Sequence, residues 1–198
     1  MKITALAKLL KNMPQKQLAL LDGSDGRQWV DIMGAAYPMD GMPRMDEMNV
    51  LAVLEVPIEC RPDYEVRRGM VPEALLEDNQ EDDQAAQMIA MTVAVNGQIV
   101  TPLYTPYGMM CIDDDMRKPV SDCKKTYEFY ARKKGDRTYI VIKNGFQMIA
   151  LLPTIKTWAQ DNACGWLNDI TRHALRTNSE MHRARPDDDR FTGFGGAE

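Results

Sequence analysis

The sequence has little of what most enzymes use for catalysis. It contains two histidines, His173 and His182, and its four cysteines lie far apart without a C-x-x-C pair, so the spacing typical of a zinc ribbon or a redox couple is missing. It has no G-x-x-x-x-G-K-[ST] loop for nucleotide phosphates. A serine or cysteine nucleophile would need one of the two histidines as its base. We therefore expect no catalytic residues, no metal site and no cofactor.

Long hydrophobic runs are missing as well. No stretch approaches the roughly 18 uninterrupted apolar residues typical of a membrane-spanning helix, and residues 1–8 lack the apolar core of a secretory signal. The composition, 44% hydrophobic and 27% charged, is that of an ordinary globular protein. We expect a cytoplasmic protein with no membrane partner.

The net charge of -5 conceals an uneven distribution. Residues 1–115 hold 9 basic and 19 acidic residues, residues 116–144 hold 9 and 3, and residues 145–198 hold 6 and 7. The three parts therefore carry charges of -10, +6 and -1. Two oppositely charged candidate surfaces follow from this separation.

The acidic candidate surface lies in a segment with few apolar residues, which is typical of a solvated linker or an exposed loop. Its carboxylates are suited to a basic groove on a nucleic-acid-handling enzyme. The acidic partner-binding residues are Glu73, Glu77, Asp78, Glu81, Asp82 and Asp83.

The basic candidate surface lies within residues 124–143, where cations are interspersed with aromatic residues. Basic residues can hold a phosphate backbone while aromatic rings stack on bases. A second interpretation is that the charges surround an exposed hairpin turn and the rings face the core. The nucleic-acid-binding residues on the first interpretation are Arg132, Lys133, Lys134, Arg137 and Tyr130.

Periodicity of apolar residues predicts an α+β fold with antiparallel sheet hairpins, a meander and a few flanking helices. The predicted helices cover residues 3–13, 47–54 and 158–175. The predicted strands lie in a hairpin at 17–33, an extended piece at 35–38, a hairpin at 91–101 and a meander at 126–152.

Composition divides the chain into four predicted parts. Residues 1–60 form a helix-hairpin-strand-helix module, and residues 61–87 form an acidic irregular connection. Residues 88–176 contain the meander and a closing helix, and residues 177–198 are polar and read as a disordered tail.

Several segments resemble those of small uncharacterised proteins from bacterial prophages and other mobile elements. They are the opening helix at 1–11, the strand Gln28-Trp29-Val30, the turn at 37–43 and the strand at 139–145. The resemblance implies action against host defence, as in anti-CRISPR proteins that bind an RNA-guided nuclease. A second likeness, to sliding clamps, rests on the opening order of helix, hairpin, strand and helix and on the closing strand at 148–153.

Two functions follow as hypotheses. The first is a non-enzymatic phage or mobile-element protein that inhibits host defence machinery by binding a host protein, such as a nuclease bound to nucleic acid. The alternative is a DNA-binding replication accessory protein of clamp-like or single-strand-binding type, which would contact nucleic acid through residues 124–143. The sequence leaves the oligomeric state open.

Overall fold

The computed structural model describes residues 1–23, 25–68, 72–95, 98–121 and 127–155, all within a unit that spans Met1–Thr157. The predicted helix at 158–175 and the predicted tail at 177–198 lie outside the described residues. So do residues 124–126 of the predicted basic region.

Three α-helices occur in the described residues: α1 (Ile3–Lys11), α2 (Glu47–Val53) and α3 (Asp114–Arg117). Helix α1 buries Leu6 and Leu10 completely because they lie on one face of the helix. Helix α2 begins after Asp46, whose side chain accepts a hydrogen bond of 2.8 Å from the backbone N–H of Asn49. Such a cap satisfies one of the unpaired N–H groups of the first turn. Both α1 and α2 confirm the sequence prediction.

Eleven strands are described. They are β1 (Gln17–Asp22), β2 (Gln28–Ile32), β3 (Ala35–Pro38), β4 (Glu65–Arg68), β5 (Gln84–Met88), β6 (Val93–Val95), β7 (Gln98–Thr105), β8 (Gly108–Asp113), β9 (Glu128–Lys134), β10 (Arg137–Asn144) and β11 (Gln147–Pro153). Two short 3₁₀ helices, Ile58–Asp63 and Glu73–Leu75, flank β4 along the chain.

The strands form one mixed sheet in the order β4-β1-β2-β3-β11-β10-β9-β5-β7-β6, with β8 on the other edge of β7. The β1–β4 pair is parallel, and the other pairs described are antiparallel. The predicted hairpins and the β9–β10–β11 meander are present. The fold is therefore mostly sheet with a few helices, consistent with the α+β class.

The central strands of the sheet are buried on both faces. On the first face, Val30, Tyr37 and Ile140 pack with Leu6 and Leu10 of helix α1. On the second face, alternate residues of the same strands turn the other way, as the two-residue period of a strand requires. They form a smaller cluster with two leucines that follow β4: Leu21, Trp29, Ala36, Tyr139, Val141, Met148 and Leu151, together with Leu75 and Leu76.

Residues 61–87, predicted as an irregular connection, instead contain ordered elements. Strand β4 pairs with β1, and β5 pairs with β9 through residues 84–86 and with β7 through residues 87–88. The sequence of β5, Gln-Ala-Ala-Gln-Met, has no β-branched or aromatic residue, so its strand conformation comes from pairing on both sides and not from intrinsic preference.

The same sheet contains strands from both sides of that segment. Ala36 of β3 pairs with Leu151 of β11, and an isolated antiparallel bridge joins Cys111 of β8 to Ile155. The predicted 1–60 module and the described part of the predicted 88–176 region therefore share one sheet. Within the described residues, no helix is long and apolar enough to cross a membrane.

Candidate functional site

Arg132 of β9 is the centre of a buried ionic cluster. Its side chain is completely buried, and its guanidinium donates two hydrogen bonds to the carboxylate of Asp83, of 2.7 Å from Nε and 2.8 Å from Nη2. Nη1 donates to the carbonyl oxygens of Leu75 and Glu77, at 2.6 and 2.9 Å. The bidentate pair matches the planar fork of an arginine to a carboxylate.

Lys143 of β10 is the second cation of this cluster. Its Nζ atom donates to Asp83 Oδ2 and to Asn79 Oδ1, both at 2.9 Å, and lies 4.5 Å from the centroid of the Tyr130 ring. The Tyr130 hydroxyl in turn donates to Glu128 at 2.8 Å. The side chains of Lys143 and Asp83 are each only 5% exposed, so water screens this cluster weakly.

These contacts hold residues 72–83, here called the anchored segment, against the second face of the sheet. Asp78 adds two more contacts, because its Oδ1 accepts hydrogen bonds of 2.8 Å from Arg27 Nη2 and from the backbone N–H of Met148. The two leucines of the segment, Leu75 and Leu76, are each 1% exposed and pack into the cluster on that face. The segment is therefore fixed by both ionic and apolar contacts.

The pKa of Asp83 reflects the balance between burial and charge. Burial by itself raises the pKa of this carboxyl, since it disfavours the charged form. Hydrogen bonds and charge from Arg132 and Lys143 outweigh burial and lower the pKa below its ordinary value of 3.8. Asp83 is therefore ionised at neutral pH and compensates the buried cations.

The structure separates the predicted acidic residues into two groups. Asp78 and Asp83 point to internal partners, whereas Glu77, Glu81 and Asp82 are exposed, and the side chain of Glu73 lies outside the description. The six carboxylates therefore do not form one outward surface.

The predicted basic residues divide in the same way. Arg132, predicted to bind nucleic acid, is instead buried in the ionic cluster, and Tyr130 contacts Lys143 in the half-buried surroundings of that cluster. Lys133, Lys134 and Arg137 are exposed around the β9–β10 turn. We call these three the basic turn. Gly135 in the turn has a φ of 58°, a conformation that glycine adopts without a steric penalty.

Tyr107 is a neighbour of the basic turn that the sequence analysis did not select. It lies in the turn between β7 and β8, is 41% exposed, and has its ring centroid 5.7 Å from Lys133 Nζ. The tight β-turn signal Pro106-Tyr107-Gly108 was available in the sequence, but its proximity to Lys133 depends on the pairing of β5 with both β7 and β9.

Asp113, Asp114 and Asp115, an acidic run in the sequence, serve helix α3. The Asp113 side chain accepts a hydrogen bond from Asp115 N at 2.8 Å, and Asp114 pairs with Arg117 at 2.8 Å. Within the described part of the chain, no group of three or more histidine, cysteine or acidic residues could hold a metal ion.

A cavity of about 250 Å³ lies between the end of α1 and strands β1, β2 and β4. Met13, Met33, Asp31 and Arg67 are among its lining residues. Asp31 is 2% exposed and accepts a 2.7 Å hydrogen bond from Gly34 N, while Arg67 is paired with Glu65. The cavity is separate from the basic turn in sequence and in the sheet order.

Comparison of the chain with protein-family models, with curated proteins and with solved structures found no match.

Proposed function

We propose that this protein acts by binding nucleic acid through the basic turn, as a cytoplasmic, non-enzymatic DNA-binding accessory protein. The exposure of Lys133, Lys134 and Arg137 at one turn, with an exposed aromatic ring beside Lys133, carries the proposal. Three cations at one turn attract a phosphate backbone. Their neighbour Arg132 has no such role because it is buried against Asp83.

The architecture around the turn supports this assignment. Strands β9 and β10 pair over seven positions, from Arg137 and Lys134 at the turn to Lys143 and Glu128. Arg132, which forms the buried ion pair with Asp83, immediately precedes Lys133 in β9. The cations therefore project from a fixed hairpin, and binding orders only their side chains and not the backbone.

Fluorescence anisotropy of a labelled oligonucleotide tests the proposal. Combined Lys133→Glu, Lys134→Glu and Arg137→Glu substitutions are expected to abolish binding. A control with Lys2→Glu, Lys8→Glu and Lys11→Glu changes the net charge by the same amount at exposed positions in or beside α1, and is expected to retain most of the affinity. Equal losses in both variants would indicate a response to overall charge and would contradict a site at the basic turn.

The second candidate function is an inhibitor of host defence that binds a protein partner, as in anti-CRISPR proteins. One observation favours it: Glu77, Glu81 and Asp82 are exposed on the anchored segment, which the buried cluster holds in place. A pull-down from bacterial lysate, with and without nuclease treatment, separates the two functions. Recovery of a host nuclease after treatment, lost on Glu81→Gln and Asp82→Asn substitution, supports the inhibitor. Loss of all captured protein after treatment supports nucleic-acid binding.

A further inference from the structure

Tyr107 is held in a fixed, solvent-facing position by the turn that contains it. The Thr105 hydroxyl accepts a 3.1 Å hydrogen bond from the backbone N–H of Tyr107 and donates a 2.7 Å bond to the carbonyl of Gly108. Thr105 is 1% exposed, and Gly108 has a φ of 100°, which favours glycine. The turn is therefore closed by a buried side chain, while Tyr107 itself remains 41% exposed.

The ring lies beside Lys133, one of the three cations of the basic turn. Lys133 Nζ lies 5.7 Å from the ring centroid, within the range of a cation–π contact. The contact joins two hairpin turns, β7–β8 and β9–β10, that are distant in sequence. An exposed aromatic ring and an exposed cation thus lie side by side, and the other two cations of the basic turn, Lys134 and Arg137, pair with each other in the same hairpin.

The cations and the exposed aromatic ring together favour one class of ligand. Cations attract any phosphate backbone, whether single-stranded or duplex. An exposed ring adds affinity only for a base whose face is free, and bases inside a duplex are already stacked on each other. Stacking on an aromatic side chain is tolerant of sequence because every base has a π face.

We infer that Tyr107 is a stacking platform and that the ligand of the basic turn is a single strand of DNA or RNA. This inference rests on the proposed nucleic-acid function and specifies its ligand. Lys133 contacts the Tyr107 ring and also belongs to the basic turn, which meets the phosphate backbone of the strand. It therefore lies between the stacked base and the neighbouring phosphates.

The test compares Tyr107→Leu with Tyr104→Leu. Tyr104 is a matched control, because it lies in β7 of the same hairpin and is 42% exposed. Binding of each protein is measured with oligo(dT), with oligo(U) and with a duplex of the same length. Circular dichroism first verifies that each variant is folded.

The wild-type protein is expected to bind a single strand more tightly than the duplex. Tyr107→Leu should lose about five- to 150-fold in single-strand affinity, the range expected for removal of one stacked base, with little change for the duplex. Tyr104→Leu should retain wild-type affinity, and Tyr107→Phe, which keeps the ring, should retain most of it. Tighter binding of oligo(dT) than of oligo(U), or the reverse, identifies whether the protein binds single-stranded DNA or RNA.

The outcomes separate this inference from the proposed function. If single strand and duplex bind equally, or if Tyr107→Leu and Tyr104→Leu behave alike, while the charge reversals at the basic turn still abolish binding, the stacking inference is wrong and the nucleic-acid function remains. If the charge reversals have no effect on any of the three ligands, the proposed function fails, and the inference fails with it.

Discussion

At the scale of single residues, Arg132 makes four hydrogen bonds to oxygen atoms from a completely buried position. Replacing it by methionine keeps much of its volume but leaves Asp83 buried with one cation instead of two, and leaves the carbonyls of Leu75 and Glu77 without their donor. We expect Arg132→Met to lower the free energy of unfolding by about 3–5 kcal/mol, the usual effect of breaking a buried ion pair.

Urea denaturation followed by tryptophan fluorescence measures this change. Arg137→Met is the matched control, because Arg137 is exposed on the neighbouring strand, and it should alter the free energy of unfolding by no more than about 0.5 kcal/mol. An Arg132→Met variant as stable as the wild type would show that the buried cluster does not hold the anchored segment.

Asp83 also makes stability depend on pH. Because its pKa is lowered in the folded protein, its ionised form stabilises the fold at pH values above the unfolded pKa of about 4. That contribution is lost as the pH falls through the lower folded-state pKa. We expect an Asp83→Asn variant, less stable at pH 7, to lose less further stability than the wild type between pH 5 and pH 2. Parallel losses in the two proteins would exclude Asp83 as a source of acid sensitivity.

Tyr37 provides a polar contact within the main core. Its hydroxyl donates a 2.6 Å hydrogen bond to the carbonyl of Met116 in α3, and the residue is completely buried. Burial, with a smaller effect of Asp113 and Asp31, raises the pKa of Tyr37, so the hydroxyl keeps its proton at any ordinary pH. Tyr37→Phe should cost about 1–3 kcal/mol of unfolding free energy, since the Met116 carbonyl is left unsatisfied.

The corresponding control is Tyr104→Phe, which removes a hydroxyl from an exposed tyrosine. Thermal unfolding of both variants gives the comparison. A drop in melting temperature for Tyr104→Phe as large as for Tyr37→Phe would mean that the buried Tyr37–Met116 bond contributes nothing specific.

Residue-scale prediction from the sequence was limited by what a pattern can distinguish. Arg132, Lys133 and Lys134 are three consecutive cations in the sequence, and strand alternation shows that Arg132 faces away from Lys133. It does not show that Asp83 comes to cover Arg132, since these residues are 49 positions apart. The same reason explains why Tyr107 was not linked to Lys133.

At the scale of elements, the anchored segment covers part of the sheet with only two large apolar side chains. Leu75 and Leu76 are buried against the second-face cluster that includes Trp29 and Met148. We expect Leu76→Ala to destabilise the protein by about 2–5 kcal/mol, as for other buried leucines. A solvated linker, as the sequence suggested, would tolerate this change.

The control for this variant is Ile58→Ala, since Ile58 is 72% exposed in a 3₁₀ helix and should change unfolding free energy by at most about 0.5 kcal/mol. Chemical denaturation of the two variants measures both changes in the free energy of unfolding. If Leu76→Ala is as stable as Ile58→Ala, the segment does not contribute to the core.

Elements with strong local signals were predictable. Helices α1 and α2 follow from apolar spacing, and the β1–β2 hairpin and the β9–β11 meander follow from alternation around turn residues. Strands β4 and β5 were not predictable, because their sequences are polar or alanine-rich. Their conformation depends on partners elsewhere in the chain. Pairing through β5 is also what brings the two turns of the candidate site together.

At the scale of the whole molecule, the acidic and basic candidates lie close together. Gln84 pairs with Ala131, and Asp83 contacts Arg132 one position further on, so Glu81 and Asp82 leave the sheet at the same end of β9 as Lys133 and Lys134. The acidic and basic residues singled out from the sequence are therefore not on two distant surfaces, since Glu81 and Asp82 lie near the basic turn. Exposed carboxylates beside the basic turn oppose the approach of phosphates.

Neutralising these carboxylates should strengthen the binding of nucleic acid. We expect combined Glu81→Gln and Asp82→Asn substitutions to raise affinity for a single strand several-fold at low salt, with a smaller gain at high salt because screening weakens the repulsion. Glu47→Gln with Glu55→Gln, at exposed positions on and just after α2, removes the same charge and should have little effect. Weaker nucleic-acid binding after the first change would contradict the proposed surface.

The most direct test of nucleic-acid binding by the basic turn is the salt dependence of single-strand affinity. The logarithm of the association constant is plotted against the logarithm of salt concentration for the wild type and for a variant with Lys133→Gln, Lys134→Gln and Arg137→Gln. With three cations on phosphates, we expect the wild-type slope to be more negative than that of the variant by about 2, at roughly 0.7 per contact. Equal slopes in the two proteins would show that the basic turn does not contact phosphates.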